Sequence, residues 1–466
     1  MKDGNSPHGR PARCPGGFAA RVRLPFAFVL AVCVAPVHAQ LRVPAVQLPN
    51  APGMSLPIDV RADLPRAQLS VDASRLRDAR KLQVRTLIRS NRGEIEADPA
   101  GEAMVRNQVL AYSPAPATLN KLRAAGFTVL RESVLEGLDA SVVVLAAPSG
   151  MSTAKALRRL QSLDPQGVYD FNHLYAGSGV ISATGVRTAP AAEAAQTNVQ
   201  PAVVKIGLID GGVDDAHPAF QGASLRHWGC SGQNVSSAHG TAVASILIGQ
   251  DGVFHGAAPQ SQLYSADVYC GSATGGAVEI IAAAFAWMAR EQIPVINVSL
   301  VGPKNAMLEQ IVRIVIARGH VVVAAVGNDG PSAPPLYPAA YADVIGVTAV
   351  DAHQRVLLEA GRGPQVAFAA PGADMVGAGG DSAFVAVRGT SFAAPIVAGL
   401  LALRLPAIDK HAADAVLAQL AQEAVDLGPP GKDKIYGNGL VGEQIRVDPA
   451  RMALSQVAPP SSRLGN

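Results

Sequence analysis

The sequence predicts an α/β protein in which a doubly wound parallel sheet is preceded by a small α+β domain. Between residues 200 and 350, short β-branched apolar runs alternate with helical stretches, which is typical of a parallel sheet covered on both faces. Upstream, residues 104–175 contain shorter elements in the order β-α-β-β-α-β. The 466 residues, 49% of them apolar, allow two or three domains and a sizeable core.

The N-terminus predicts an export signal. Arginines precede a short apolar run, 24–34, and Val37-His38-Ala39 matches a small-x-small cleavage pattern, so we expect cleavage of residues 1–39 after Ala39. The alternative is an uncleaved anchor, but the run is shorter than the ~20 residues that a spanning helix needs. We therefore expect a secreted or periplasmic protein without a stable membrane span.

Charge and cysteine content narrow the class of protein further. The net charge is +3, only 16% of residues are charged, and no Lys/Arg block suggests a nucleic-acid partner. Cys14 and Cys33 lie in the signal segment, which leaves Cys230 and Cys270 in the exported part. An even pair in an oxidising compartment predicts one disulfide, and the alternative is two separate buried thiols.

Residues 40–176 divide into a lead and a folded domain. The lead, 40–100, is Pro-rich at first and then contains more Arg, which predicts a flexible segment with a short helix near 74–88. The domain, 101–176, has the element order of a ferredoxin-like fold, which by itself says little about function. Its strands are expected at 105–112, 127–131, 140–147 and 168–174, and its helices at 117–125 and 152–163.

A linker, a large domain and a tail follow. The Gly/Ala/Thr-rich residues 177–200 predict an exposed linker, where proteolytic cutting concentrates. Residues 201–445 form the large domain, and residues 446–466 predict a loose tail. In the large domain we expect strands at 203–209, 263–268, 295–298, 321–325 and 344–350, and helices near 240–249, 276–289 and 305–318.

Three motifs in the large domain carry the residue types of nucleophilic catalysis. Asp210 directly follows the first strand, at the carboxyl end where α/β sheets bind ligands. His239 opens His-Gly-Thr, and Ser391 lies in Gly-Thr-Ser-Phe-Ala-Ala-Pro, each at the expected start of a helix. A serine hydroxyl needs a base such as His239, oriented by a carboxylate such as Asp210. Singly, each has an ordinary alternative: a turn residue, a structural histidine or a helix cap.

Taken together, these motifs resemble those of the subtilisin-like serine proteases, the peptidase S8 family, over roughly residues 200–445. The chain order Asp, His, Ser differs from the orders of the chymotrypsin-like proteases and the α/β-hydrolases. The resemblance implies a subtilisin-type fold and a serine endopeptidase that cleaves protein or peptide substrates through an acyl-enzyme. It also implies that Asn328, within Ala-Ala-Val-Gly-Asn-Asp-Gly, donates to the oxyanion together with the Ser391 backbone.

The domain at 101–176 resembles the propeptides of the same family. In that family such a domain assists folding and its C-terminal tail inhibits the enzyme by occupying the substrate cleft; the alternative is an unrelated accessory domain. If self-processing occurs, the resemblance implies a cut between residues 175 and 200.

The resemblance also implies a set of substrate-binding residues. Val301 replaces a frequent glycine, which should narrow the outer subsites, and Leu336 replaces a small residue, which should make the primary pocket shallow and disfavour bulky aromatic groups. Gly211 stands where a hydroxyl residue is common, so a local hydrogen bond is expected to be absent. The strand that pairs with the substrate backbone consists of Ser299, Leu300, Val301 and Gly302. Ala325 and Gly327 form another wall of the primary specificity pocket, and Leu336 lies at its base.

No cofactor is required for this chemistry. No carboxylate-rich calcium loop is evident, so structural calcium, or any other metal, is left open. Two rival functions come from other classes: a catalytically silent relative that acts as a binding or scaffold protein, and an esterase or amidase. The presence of all four candidate residues argues against the first, and the lack of a Gly-x-Ser-x-Gly elbow around Ser391 disfavours the second.

Overall fold

The computed structural model describes residues 66–187 and 204–454. The predicted signal segment with its two cysteines, residues 40–65 of the lead, residues 188–200 of the linker and the tail beyond 454 lie outside the described residues. Everything described belongs to one compact unit. Among the described residues, no helix has both the length and the apolar character to cross a membrane.

The N-terminal part contains a long helix and a small antiparallel sheet. The elements are α1 (Arg66–Ser90), β1 (Ile95–Ala97), β2 (Ala103–Tyr112), α2 (Pro116–Ala124), β3 (Thr128–Leu135), β4 (Ala140–Ala146), α3 (Thr153–Leu163) and β5 (Val168–His173). Strand order is β1-β2-β4-β3, with β5 on the free side of β2. Helix α1 contains the helix predicted near 74–88 and is longer, and its Val84, Leu87 and Ile88 pack on the apolar start of the sheet. Residues 66–90 and 95–97 therefore form regular elements where a flexible segment was expected around a short helix.

The start of the predicted linker forms two strands, β6 (Ala176–Gly177) and β7 (Val180–Arg187). The large domain then contains β8 (Lys205–Asp210), β9 (Ser224–Trp228), α4 (Ala238–Ile248), β10 (Gln250–Asp251), β11 (Phe254–His255), β12 (Gln262–Asp267), α5 (Val278–Arg290), β13 (Val295–Val298), β14 (Leu300–Val301), α6 (Ala306–Ala317), β15 (Val321–Ala325), β16 (Ile345–Val350), β17 (Val366–Pro371), β18 (Met375–Ala378), β19 (Ala383–Arg388), α7 (Thr390–Ala402), α8 (Lys410–Glu423) and α9 (Pro449–Leu454).

A seven-stranded sheet organises the large domain. Its order is β17-β16-β15-β13-β8-β12-β9, and each neighbouring pair is parallel. The chain adds strands on both sides of β8, so the order reverses there and a crevice opens at the carboxyl ends of the strands. Asp210 is the last residue of β8 and therefore lies at that crevice.

Helices cover both faces of this sheet. Helices α4 and α7 pack on one face, in a core that includes Val243, Leu247 and Phe392. Helices α5 and α6 pack on the other face, and the N-terminal sheet covers them through Leu110 and Val142. Every residue of α7 is buried. A helix buried all round has a fixed position, so its first turn is a rigid platform for Ser391.

The two strands within residues 176–187 correct the prediction of a loose linker there. Strand β6 pairs antiparallel with β14, and β7 pairs antiparallel with β19. Both β14 and β19 lie outside the large sheet. Pairing with β6 and β7 gives hydrogen-bond partners to backbone N–H and C=O groups along their edges. The small side chains of 176–179 allow this close pairing, although their composition alone suggested a loop.

Candidate functional site

Asp210 and His239 form a close pair at the carboxyl end of β8. His239 Nδ1 lies 2.9 Å from Asp210 Oδ1 and 3.0 Å from Oδ2. Asp210 is 1% exposed, whereas the His239 side chain is 19% exposed. The carboxylate therefore fixes the ring with Nδ1–H toward Asp210 and Nε2 toward the crevice. Nε2 is buried and has no hydrogen-bond partner among the described residues.

Glycines allow helix α4 to bring His239 this close. A Cβ on Gly240 would lie 2.1 Å from the Gly211 carbonyl oxygen, so only glycine permits the approach. Ser237 caps α4 by accepting from Gly240 N at 3.0 Å. A Cβ on Gly211 would lie 2.2 Å from Ser237 Oγ, so the serine occupies the space of the side chain that Gly211 lacks.

The pKa of His239 is raised from its ordinary value of 6.5. Burial opposes this shift because it disfavours the imidazolium, but the charge of Asp210 and its hydrogen bond favour the imidazolium, and the Ser178 backbone adds to them. Asp210 therefore stabilises the protonated state that a base reaches after it has accepted a proton.

Ser391 lies in the first turn of α7 and is fully buried. Its Oγ donates to the Ser299 carbonyl at 3.2 Å, lies 2.9 Å from Ser178 Oγ, and accepts from Ser178 N at 3.2 Å. The structure brings Ser391 and His239 to the same crevice without a hydrogen bond between them. The His239 ring instead lies 5.5 Å from the ring of Phe392, the next residue of the helix.

Asn328 faces the start of the same helix. Its Oδ1 accepts from Thr390 N at 3.1 Å, while Nδ2 is buried without a partner among the described residues. A Cβ on Gly389 would lie 2.9 Å from Asn328 Nδ2 and 3.3 Å from the Ser178 carbonyl oxygen. The unpaired amide and this carbonyl thus approach the same point. A buried donor without an acceptor is costly in a resting protein, and it indicates a site for a negatively charged oxygen.

The predicted substrate-binding residues surround a segment of the chain itself. Ala176 is in register with Val301, and Gly177 with Leu300, in an antiparallel ladder. This segment makes the contact that an added peptide strand would make. Ser299 supplies the carbonyl that accepts from Ser391 Oγ. Gly302 lies against the Tyr175 ring and pairs with Tyr337, Gly327 lies against the Leu336 side chain, and Ala325 is in β15 beside β16.

Sequence reasoning missed the residues that fill the cleft. Gly177 lies against the His239 ring, since a Cβ there would be 3.1 Å from Cε1 and Nδ1. Ser178 is 8% exposed, and its hydroxyl is hydrogen-bonded to that of Ser391. Gly179 lies against Gly389, since a Cβ on Gly389 would be 2.8 Å from Gly179 Cα. The only signal in the sequence is the run of small residues that was interpreted as the start of a linker.

A second missed contact reaches the asparagine loop from the N-terminal part. Arg80 of α1 pairs with Asp329 at 3.2 Å and with Glu102 at 3.0 Å. Burial raises the pKa of Asp329, and Arg80 counteracts that increase. Helix α1 therefore braces the loop that carries Asn328.

Cys230 and Cys270 are joined as a disulfide in the structure, with sulfur atoms 2.16 Å apart. The bridge links the ends of β9 and β12, next to Asp267, which is in register with Asp210. Among the described residues, Cys230, Asp267 and Cys270 form the one group of three side chains close enough together to bind a metal ion. The two cysteines of this group are already joined to each other.

Comparisons with known proteins place the large domain in a family. Residues 202–439 match the family model described as the subtilase family. Subtilisin DY of Bacillus licheniformis is 35% identical over 248 residues, which cover 51% of this chain and 88% of that protein. Subtilisin BL of Lederbergia lenta is 33% identical, with 52% and 89% covered. The minor extracellular protease Epr of Bacillus subtilis (strain 168) is 27% identical, with 55% and 40% covered.

One solved structure is similar over most of the chain. Fervidolysin from Fervidobacterium pennivorans, described as a keratinolytic enzyme related to subtilisin, matches with a TM-score of 0.59 at 19% identity. The match covers 79% of this chain and 63% of that one. At this identity the likeness concerns the fold alone.

Proposed function

Since the chain belongs to the subtilase family and is a subtilisin-like serine endopeptidase, we propose that Asp210, His239 and Ser391 form its catalytic triad. The observation that carries this proposal is the convergence of three features on residues 177–179. The His239 ring, oriented by Asp210, lies against Gly177, the Ser391 hydroxyl lies beside Ser178, and the unpaired Asn328 amide approaches the Ser178 carbonyl. Protein or peptide chains are the substrates.

The reaction follows from the charges at this point. Ser391 Oγ adds to the carbonyl carbon of the substrate and its proton passes to His239 Nε2, while Asp210 stabilises the imidazolium. The new oxyanion accepts from Asn328 Nδ2 and from the Ser391 backbone N–H at the start of α7. The C–N bond then breaks, and His239 returns the proton to the leaving amine. Water hydrolyses the resulting acyl-enzyme through the same groups.

The described arrangement differs from the one that attack requires at the Ser391 hydroxyl. Ser391 Oγ donates to the Ser299 carbonyl, and His239 Nε2 has no hydrogen-bond partner among the described residues. In the proposed mechanism, rotation of the Ser391 side chain about its Cα–Cβ bond turns the hydroxyl toward the imidazole. The absent Ser391–His239 hydrogen bond is therefore compatible with an active enzyme, since such bonds often tighten only when the reaction begins.

We further propose that the enzyme matures by cutting its own chain between Ser178 and Gly179, within the interval 175–200 expected from the sequence. Ala176 and Gly177 pair with the substrate-binding strand, and Ser178 contacts the nucleophile directly. A peptide held beside its nucleophile reacts as an intramolecular group, which removes much of the entropic cost of the encounter.

The N-terminal domain acts as a propeptide of ferredoxin-like type and as an inhibitor in this proposal. Its element order supports the fold assignment. It also supplies acceptors for backbone N–H groups in the first turns of two helices that it covers. Asp170 accepts from Ala306 N at 2.7 Å, and Asn172 accepts from Glu279 N at 3.3 Å. These contacts complete the first turns of α6 and α5, which stabilises the catalytic domain while the cleft remains filled.

Export to the periplasm or the medium completes the proposal. The predicted signal segment, the Cys230–Cys270 bond and the extracellular location stated for the Epr relative support it. All three favour an oxidising compartment outside the cytoplasm.

Intact-mass analysis of the exported chain tests this function. Wild type should split into two fragments, the second of which begins at Gly179, whereas Ser391→Ala should stay whole. Ser265→Ala is the matched control, because Ser265 is also buried and its hydroxyl has no hydrogen-bond partner in the part of the chain that the structure describes. If wild type also stays whole and cleaves no protein substrate, the silent scaffold is favoured. If Ser391→Ala is cut at the same bond, another protease is responsible.

A further inference from the structure

The loop that carries Asn328 is anchored by its backbone on either side of that residue. Before it, Gly327 N donates to Thr390 Oγ1 at 3.1 Å. After it, Gly330 N donates to the Glu359 carbonyl at 2.8 Å. Within the described part of the chain, the backbone groups of the two residues between these anchors make no hydrogen bond. The position of the candidate oxyanion donor therefore depends on side-chain contacts.

Two side-chain contacts hold this stretch of backbone. Asn328 Oδ1 accepts from Thr390 N at 3.1 Å. In the next residue, Asp329 Oδ2 lies 3.2 Å from Arg80 Nε, and the side chains of Arg80 and Asp329 are only 18% and 17% exposed. An ion pair so far removed from solvent is screened by salt less than a surface pair. The contact with Arg80 is thus able to determine where the backbone next to Asn328 lies.

Arg80 is itself held in a fixed orientation. Its Nη1 and Nη2 donate to the two carboxylate oxygens of Glu102, at 3.1 and 3.0 Å, while its Nε faces Asp329. Glu102 lies in the turn between β1 and β2, where its backbone N donates to Asp98 Oδ1 at 2.8 Å. A planar guanidinium that is bound at one edge by a carboxylate directs its remaining N–H group along a fixed line. Glu102 therefore orients Arg80, and Arg80 orients Asp329.

The apolar face of helix α1 brings Arg80 to this position. Val84, Leu87 and Ile88 follow Arg80 at the spacing of one helix face, and all three pack on a cluster that includes Ala277 of the catalytic domain. The helix is thus docked on both domains at once. Its charged residue reaches the catalytic domain from a surface that the chain's N-terminal part supplies.

We propose that Arg80 is a positioning residue for self-processing: through Asp329, it holds the loop with Asn328 in place while the chain cuts its own Ser178–Gly179 bond. The inference rests on the proposed function, because it takes Asn328 as the oxyanion donor and this bond as the one that is cut. It goes further by giving helix α1 a part in the reaction and by limiting that part to the precursor.

The cut separates the members of this ion-pair network. Arg80 and Glu102 precede the Ser178–Gly179 bond in the chain, whereas Asp329 follows it. When the N-terminal fragment leaves, Asp329 loses the guanidinium that counteracts the effect of burial on its pKa. The support is therefore present for the first cut and absent from the mature enzyme. A change at Arg80 should alter self-processing without altering later turnover.

The test compares the rates at which exported precursors cut themselves. Urea-unfolded chains are diluted into buffer, folding is followed by tryptophan fluorescence, and the loss of uncut chain after folding is followed by intact mass. Arg80→Gln should slow the cut at least about tenfold, since a displacement of ~1 Å near the reacting groups can lower a rate by ~10²-fold. Arg80→Lys should recover part of this loss, because an ammonium supplies the charge without the planar fork. Arg85→Ala is the matched control, because Arg85 is exposed on the same helix, and it should cut at the wild-type rate.

A double-mutant cycle distinguishes positioning of Asn328 from a general effect on stability. Arg80→Gln should slow the Asn328→Ala chain by less than about threefold, since two changes that act through one group are not additive. Equal slowing of the two chains would overturn the proposal, and so would a wild-type rate for Arg80→Gln alone. Asp329→Asn should slow the cut as Arg80→Gln does. It decides the question if the Arg80 variants fail to fold, because an unchanged rate there would also overturn the proposal.

The mature enzyme supplies an internal control. Wild type and Arg80→Gln yield the same chain from Gly179 onward, so their kcat on casein should be equal once each has cut itself. Unequal values would mean that the substitution altered folding, which would count against positioning. If wild type cuts itself and Arg80→Gln keeps pace with it, only this inference is wrong. If wild type neither cuts itself nor cleaves casein, the proposed function is wrong and the inference with it.

Discussion

Replacing Gly240 by alanine should separate His239 from Asp210. A Cβ on this residue would lie 2.1 Å from the Gly211 carbonyl oxygen and 2.7 Å from that of Gly212, whereas ordinary contact begins at 3.4 Å. The helix must therefore move away from the loop after β8 by about 3.4 − 2.1 = 1.3 Å. Both partners are backbone, so no side chain can rotate to relieve the contact.

Two physical effects of this substitution change the stability of the fold in opposite directions. Within a helix, alanine is favoured over glycine by ~0.5–1 kcal/mol, which would stabilise α4. Overpacking of this severity costs ~1–3 kcal/mol, and a displacement of about 1 Å at a reacting group can lower the rate by ~10²-fold. We expect the packing effect to dominate, so Gly240→Ala should fold less stably and process itself at least about 100-fold more slowly.

The assay follows the first-order loss of uncut chain by intact mass, and thermal unfolding is recorded on the same samples. Gly380→Ala is the matched control, because a Cβ there meets no described atom within 4 Å and its backbone needs no left-handed conformation. A folded Gly240→Ala chain that processes at the wild-type rate would refute the reasoning, since the required displacement would then be harmless to the Asp210–His239 pair.

Three further predictions concern the same region. Asn328→Ala should lower kcat by ~10²–10³-fold with little change in KM, the loss known for such a donor in subtilisin; a tenfold change in KM alone would contradict this. Replacing Cys230 and Cys270 together by serine should cost ~3–4 kcal/mol in urea unfolding, because the bridge closes a separation of 40 residues; an unchanged midpoint would contradict it. The processing rate should fall with decreasing pH from a midpoint above 6.5, since the pKa of His239 is raised and only the neutral ring accepts a proton. Asp210→Asn should move that midpoint down, and a wild-type midpoint below 6.5 would count against the shift.

The strands and helices near the candidate triad could be predicted from the sequence. The apolar runs predicted at 295–298 and 321–325 coincide with β13 and β15, and the helices that carry His239 and Ser391 begin one residue before them, at Ala238 and Thr390. These features are encoded locally, through β-branched runs, helix starts and glycines at close approaches. Local patterns therefore predicted five strands of the parallel sheet, whereas β9 and β17 were not predicted.

Other elements carried too little local signal. Half of strand β17 is alanine, and the strand forms the edge of the sheet beside β16; β7 follows a Gly/Ser-rich run that looks like a loop. Their strand conformation depends on partners far away in the chain. Helix α1 likewise extends beyond the predicted 74–88 to Arg66–Ser90, and its apolar face packs on the start of the N-terminal sheet.

The sequence by itself determined which residues can perform the chemistry. Asp210, His239 and Ser391 were proposed from short motifs at a strand end and two helix starts taken together, and Asn328 was proposed from the resemblance to the subtilisin-like proteases. Only the tertiary structure decided what occupies the cleft and how the nucleophile is held. Ser178 meets Ser391 across 213 residues of chain, and a contact of that range depends on how domains pack. No pattern of neighbouring residues encodes it.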